Sequence, residues 1–491
     1  MGVAADIESI ERRLAAHVGD EARRRKLASD LGALIAELVA SDAVAKASIE
    51  HARGTSVTAP NGGVIQLGFV LYWVKYPPAI LQHIVDQLPK WARRAWEVLR
   101  EVIVASHPPT VTESDYKFMT TQIHDQGIIA PDGQILGDGE YQGADTKWLW
   151  AFFDYLINLA EPGDIAPFWP PESPTDKKPP RKKPRPFDQP LEGGASVSIA
   201  VIGDWGTGRF DGGGGYDPAM SVLETMKKLQ PDYIVHLGDV YYAGTQDRPP
   251  AREEHEHLLA LWPDTLPKRS FTLNSNHEMY GGAQGYFNVA LGRAGGKTPF
   301  AHQNGLSYFA LTRNDWAFVG LDAAYFDPSS LYMTGGLGSP DDDPQYDFLS
   351  DIGRRCSNVV IFSHQTAMTT DGKQPLQLWQ DVVSVLPAAK IKYWYWGHIH
   401  LGIVYGSQSV LGRSGVQARC AGHSAIPIGA AWGLEEGDGV IEWHVKDPAG
   451  AGAYPNRVKN GFALLTLSDN GLAEAFYNAG DAAKPAWEKP T

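Results

Sequence analysis

The sequence predicts an α/β domain preceded by a mostly α-helical region, and three observations carry that expectation. Four short apolar runs, SVSIAVIG, DYIVHLG, NVVIFSH and IKYWYWGH, each end in Gly or His. Runs of this length bounded by turn residues read as buried strands. Segments with helical spacing at 219–229 and 376–385 lie between some of them, the alternation from which α/β layers are built. The first third instead spaces apolar residues three and four apart among charged ones, as amphipathic helices require.

Taken in order, residues 7–52, 88–103 and 147–159 carry the helical pattern, the last with Trp148, Trp150, Phe152, Phe153 and Tyr155. Aromatic residues at such spacing are more often core than cofactor contacts. Residues 162–190 are crowded with prolines and hold the cluster Lys177, Lys178, Arg181, Lys182, Lys183 and Arg185. Proline at that density favours an extended connector, and a basic run among prolines reads as solvated chain before it reads as a nucleic-acid patch. With 491 residues the chain exceeds what one core usually supports. The division expected is a helical N-terminal domain over 1–161, a linker over 162–194 and a catalytic domain over 195–480.

Composition narrows the partners. A net charge of −14 argues against general attraction to nucleic acid or to an anionic membrane, so an anionic substrate must be held locally. Two cysteines, Cys356 and Cys420, make no disulfide framework. The N-terminus lacks the unbroken apolar core of a secretory signal, and the most apolar stretch near it, 68–85, is interrupted by Lys75, Pro77 and Pro78. A protein free of the membrane, in the cytoplasm, is the expectation.

Chemistry is expected where strand ends meet loops. Those positions carry Gly203-Asp204-Trp205-Gly206, Gly238-Asp239-Val240-Tyr241-Tyr242, Asn276-His277-Glu278, His364, and Gly397-His398-Ile399-His400. Singly each is weak, since Gly-Asp is a common turn and paired histidines occur in ordinary loops. Together they supply carboxylate, phenolate, amide and imidazole donors, a mixture that suits a pair of first-row transition ions. Paired cysteines are absent, which makes a structural zinc site improbable and points to catalytic metals.

At these residues the chain resembles the calcineurin-like metallophosphoesterases, whose series runs GDx[HG], GDxx[NY], GNH[ED], a His after an apolar strand, and GHxH. Within them it is similar to the purple acid phosphatase branch, because Gly206 stands where most members have a metal-binding His and Tyr242 completes Gly-Asp-x-x-Tyr. The likeness spans about residues 196 to 470. It implies a four-layer α/β/β/α sandwich and two metal ions, Fe(III) with Fe(II), Zn(II) or Mn(II). One ion would be held by Asp204, Asp239, Tyr242 and His400, the other by Asn276, His364, His398 and the shared Asp239. Ser275 departs from the family, which usually has Gly there, as does Leu401-Gly402 after the last histidine.

The reaction expected is hydrolysis of a phosphate monoester or diester on a small phosphorylated substrate. Hydroxide drawn from metal-activated water would attack in line while His277 protonates the leaving oxygen. Glu278 either orients His277 or is structural. His423, on the Gly-flanked loop that follows, either contacts phosphate or is a turn histidine with a backbone partner. Asp322 either supports a metal-bound His or caps a turn. Gly212–Gly215 lacks the Gly-Lys-Ser/Thr ending of a nucleotide loop and reads as a rim. Two other readings are a hydrolase or transferase of a different phosphorus compound, such as a phosphonate or nucleotide anhydride, and a scaffold protein that has kept the metal centre.

Overall fold

The computed structural model describes residues 141, 151, 154, 155, 158, 165–170, 185–212, 214–246, 252–263, 269–329, 332–426, 434, 436–447 and 458–489. The expected N-terminal helices lie almost wholly outside the described residues.

Two sheets form the body. The strands, in chain order, are β1 (Phe187–Pro190), β2 (Val197–Ile202), β3 (Tyr233–His236), β4 (Ser270–Thr272), β5 (Phe309–Arg313), β6 (Trp316–Gly320), β7 (Asn358–Ser363), β8 (Ile391–Trp396), β9 (Gly402–Tyr405), β10 (Gln417–Ala421), β11 (Ile441–His444), β12 (Gly461–Ser468), β13 (Gly471–Asn478) and β14 (Trp487–Glu488). One sheet has the order β1-β5-β6-β7-β8-β10-β9-β11, the other β14-β13-β12-β2-β3-β4. The four apolar runs of the sequence are β2, β3, β7 and β8, and all are central.

The period-2 alternation of β2 shows why the sheets stack. Val197, Ile199 and Val201 face the second sheet and join Val235, Phe271, Phe318, Phe362 and Leu465 in the core between the sheets. Ala200 and Ile202 face outward onto α1 (Pro218–Leu229), meeting Val222, Leu223 and Met226. The outer face of the other sheet, with Val319, Ile361 and Trp394, is covered by α3 (Gln345–Arg355) and α4 (Gln377–Val383) through Leu349, Ile352 and Leu378. Between α1 and α3 in sequence lies the short α2 (Asn276–Tyr280). The result is the expected α/β/β/α sandwich. Local chemistry agrees with it: Asp217 caps α1 by accepting from the Met220 N–H at 3.1 Å, Pro218 opens the helix and Lys227 and Lys228 close it.

The stretch read as a linker is structured at both ends. Ala166 and Phe168 are buried, and the Ala166 N–H donates to the Gly282 carbonyl at 2.8 Å. β1 pairs in parallel with β5 at the sheet edge, where Pro190 ends the strand and its missing N–H costs little. Beyond residue 480, β14 still pairs with β13. Both cysteines are free and buried. Among the described residues no helix is long and apolar enough to cross a membrane.

Candidate metal centre

Loops leaving the C-terminal ends of β2, β3, β4, β7 and β8 carry the polar residues singled out by the sequence, and the structure brings most of them together. Asp204, Asp239 and His398 have positive φ values of 58°, 74° and 66°. Asp and His tolerate this left-handed conformation better than most residues, and its use three times in one place aims these side chains inward.

The first cluster forms around one hydroxyl. Tyr241 Oη donates to Asp239 Oδ2 at 2.7 Å and lies 3.2 Å from Asp204 Oδ1 and 3.0 Å from His400 Nε2. His400 Nε2 is 3.3 Å from Asp204 Oδ1. Asp204 Oδ2 accepts the His398 N–H at 3.0 Å, which ties the β2 and β8 loops together. The ring of Tyr242, the tyrosine expected here, stacks on Tyr141 with centroids 4.7 Å apart.

A second cluster surrounds His364. Its Nδ1 is 2.9 Å from the Leu237 carbonyl, which can only accept, so Nδ1 carries the proton and Nε2 is left with its lone pair. Nε2 lies 2.8 Å from Asn276 Oδ1 and 3.1 Å from Asp239 Oδ1. The Asn276 amide is oriented by donating to Tyr280 Oη at 2.9 Å. A nitrogen lone pair, an amide oxygen and a carboxylate oxygen therefore face one another, and either a second proton on the imidazole or a cation must lie among them. Asp204, Asp239 and His364 offer donor atoms within 4.8 Å of one another, and all three are buried.

Electrostatics follow from that burial. Burial, and then the Asp239 carboxylate beside it, push the Asp204 carboxyl well above its ordinary range. Burial would raise Asp239 too, but His277 and His364 more than offset this and draw it down. Burial pushes His398 and His400 down to about 3, so both imidazoles are neutral, the form that metal ligation needs. Nitrogen and oxygen donors without sulfur fit Zn, Mn or Fe ions.

His277 stands beside the clusters, with Nδ1 2.8 Å from the Tyr242 carbonyl and Nε2 3.8 Å from Asp239 Oδ2. Burial lowers its pKa while Asp239 works in the opposite direction.

Several supporting residues were not legible as such. Ser275, at the family's glycine position, caps α2 by accepting the His277 N–H at 3.0 Å. Its hydroxyl also contacts Asp239 and Glu278. Burial and Asp239 hold Glu278 protonated, so Glu278 can donate to Ser275 and Ser275 to Asp239. Glu253 accepts from the N–H groups of Tyr242, Ala243 and Thr245 at 2.6, 2.8 and 3.1 Å and so holds the β3 loop. Gly206 has no room for a side chain, since a Cβ there would come within 2.5 Å of the Asp239 carbonyl. That contact gives a physical reason for glycine where most of the family has histidine.

His423 is not brought to the cluster. It is fully buried against Gly402, Gly461 and Phe476, and among the described residues neither ring nitrogen has a hydrogen-bond partner. The backbone of its loop serves instead, with the Ile426 N–H donating to the Asp204 carbonyl at 3.2 Å. Asp322 caps its turn by accepting from Ala324 and Tyr325 N–H groups and holds Asn274 rather than a histidine. Gly214 and Gly215 form a turn, with the Gly215 N–H donating to Asp211 at 3.0 Å.

Residues 197–402 match the family model described as calcineurin-like phosphoesterase. No curated protein matches the chain. Among solved structures it is similar to GAP50, the anchor in the inner membrane complex of Plasmodium, at 12% identity and TM-score 0.41, covering 60% of this chain and 88% of that one. It is similar also to a purple acid phosphatase from yellow lupin (Lupinus luteus) seeds, at 12% identity and TM-score 0.40, covering 60% of this chain and 53% of that one.

Proposed function

We propose that residues 197–402, which belong to the calcineurin-like phosphoesterases, hydrolyse small phosphate esters with two metal ions. The observation that carries this reading is the meeting of His364 Nε2, Asn276 Oδ1 and Asp239 Oδ1, three acceptors with a place for a cation among them. Asp204, Asp239, His400 and a tyrosine of the 241–242 pair would hold the first ion. Asn276, His364, His398 and the shared Asp239 would hold the second. Bound there, the ions would neutralise phosphoryl oxygens and make a water acidic enough to react near neutral pH. A phenolate among the donors favours a trivalent ion, so Fe(III) with Fe(II), Zn(II) or Mn(II) suits the set, as in a purple-phosphatase-like centre.

The chain's own contribution is positioning and proton transfer. With Nδ1–H held on the Tyr242 carbonyl, His277 presents Nε2 to the site. When Nε2 carries a proton, His277 gives it to the leaving oxygen at that atom. Ser275 holds Asp239 and α2 in one register, so bridging donor and proton donor move as a unit.

The test is metal content of the purified chain, with turnover of p-nitrophenyl phosphate and bis-p-nitrophenyl phosphate, for wild type and His277→Ala. Two metals per chain and turnover of either ester are expected, with the variant losing about 10²–10⁴-fold in kcat at unchanged metal content. A chain that takes up neither Fe, Zn nor Mn and turns over neither ester would sink the reading.

A further inference from the structure

Two distant segments of the chain close on Tyr280, the last residue of α2. Asn276 and Tyr280 stand one helical turn apart on the same face, and Asn276 Nδ2 donates to Tyr280 Oη at 2.9 Å. Met333 Sδ lies 3.8 Å from both Asn276 Nδ2 and Tyr280 Oη. A thioether sulfur can only accept, so it faces the O–H of Tyr280 and an N–H of the amide. Tyr280 Oη is then left to accept, and the amide keeps its nitrogen on this side and Oδ1 on the other, 2.8 Å from His364 Nε2. The reverse orientation would aim an N–H at the cation position, so sulfur and phenol together keep the oxygen there.

Behind Tyr280 stands the stretch expected to be helical over 147–159. Its described residues Ala151, Asp154, Tyr155 and Asn158 are helical and buried, and their spacing of three and four puts them on one face. Asn158 Nδ2 donates to the Tyr280 carbonyl at 2.5 Å, and the Tyr155 ring meets the Tyr280 ring edge-on at 5.8 Å and the Tyr332 ring at 6.1 Å. Gly282 makes room for this approach: its φ is 68°, and a Cβ there would come within 2.8 Å of Asn158 Oδ1. Gln365, next to His364, donates to the Tyr332 carbonyl at 2.9 Å and so holds the loop that carries Met333.

We propose that Tyr280 is a positioning residue for the second metal position, and that the helix face carrying Tyr155 and Asn158 makes the N-terminal region part of that position's support. This rests on the metal reading above. Asn276 is a neutral donor that can turn either its oxygen or its nitrogen to an ion, so its contribution depends on what holds the amide. Tyr280 and Met333 set that orientation, and Asn158 and Tyr155 fix Tyr280 through its carbonyl and its ring. Partners that orient a metal ligand without touching the ion commonly change affinity by about 10- to 100-fold when removed. The first metal position has no contact with this group of residues, so the effect falls on one ion of the two.

The experiment titrates the metal-free full-length protein with Zn(II) by calorimetry for wild type, Tyr280→Phe, Met333→Leu and Asn158→Ala, and records the melting temperature of each metal-free protein. His364→Ala identifies the binding step of the second position by removing it. Tyr280→Phe is expected to weaken that step about tenfold or more, with Met333→Leu and Asn158→Ala weakening it less and the other step unchanged in all three. In Asn276→Asp both side-chain oxygens can accept, so Met333→Leu added to it should leave the second step as it is in Asn276→Asp alone. A second step that is unchanged in Tyr280→Phe or in Asn158→Ala overturns the proposal. Equal weakening of both steps together with a lower melting temperature also overturns it, since that is the mark of a merely structural role. A wild type that takes up fewer than two ions overturns the two-metal reading itself, which separates the two failures.

Discussion

Asp204→Asn tests the cation site through stability, independently of turnover. In the metal-free chain burial and then Asp239 push the Asp204 carboxyl well above its ordinary range, which favours the protonated form, and an amide is close to that form in shape and charge. With the amide oxygen at the Oδ2 position it still accepts the His398 N–H, and its NH2 meets Tyr241 Oη and His400 Nε2, both able to accept. The metal-free variant should therefore melt within about 2 °C of wild type, since the substitution leaves no buried polar group unpaired. Metal changes the comparison. An ion present at 100 times its Kd stabilises by about 2.7 kcal/mol. For roughly 290 residues the unfolding entropy is about 0.6 kcal/mol per degree, so each ion raises Tm by about 4 °C and two by about 9 °C. Losing an anionic donor from one position should remove about half of that rise. The assay is thermal unfolding with and without Zn(II) or Mn(II); an identical metal-induced rise in wild type and variant would refute the reasoning.

Other consequences are less central to the site. Arg419 and Glu474 form a buried pair at 2.5 Å that joins β10 to β13 across the two sheets. Arg419→Met strands the carboxylate and should cost about 3–5 kcal/mol, whereas Arg419→Met with Glu474→Leu should recover most of the loss; denaturant unfolding measures both. Gly206→Ala places a Cβ 2.5 Å from the Asp239 carbonyl and 2.7 Å from Val240 Cα, so it should displace Asp239 and weaken Zn(II) binding at least tenfold by titration calorimetry. Burial raises Asp343 to about 6. A carboxyl raised in the folded state gives stability that is fully present below about pH 4 and lost as pH rises through about 6, at most about 3 kcal/mol. Asp343→Asn should flatten that decline in stability across the same window.

Much of the sandwich was legible because its central strands are covered on both faces. β2, β3, β7 and β8 read as continuous apolar runs, and the residue after each is forced into a loop at the strand's end, which is where the chemistry lies. The helices over α1 and α4 announced themselves by spacing. β12 and β13 were overlooked although FALLTLSDNGLAEAFYN alternates around a two-residue turn at Asp469 and Asn470, with Gly471 at φ 106°. That signal was present and went unread. β1 was hidden for a different reason, since its pairing with β5 is a long-range contact and its composition is that of a linker.

The site divides along the same line between local and distant causes. Which donors gather is set by strand ends, so Asp204, Asp239, Asn276, His364, His398 and His400 could be named from the chain alone. Which way a loop turns its neighbours is set from elsewhere: Glu253, His257 and His277 grip the main chain of the tyrosine pair, and no local pattern at Gly238-Asp239-Val240-Tyr241-Tyr242 encodes that grip. The same holds at Ser275, whose contacts to Asp239 and Glu278 join two loops that start from different strands. His423 shows the reverse dependence. The sequence places it on a Gly-flanked loop, either against phosphate or as a turn histidine with a backbone partner, and in the structure Gly402 and Gly461 lack side chains where its ring packs, with burial driving its pKa down to about 3. The space that admits that ring is written in two distant glycines.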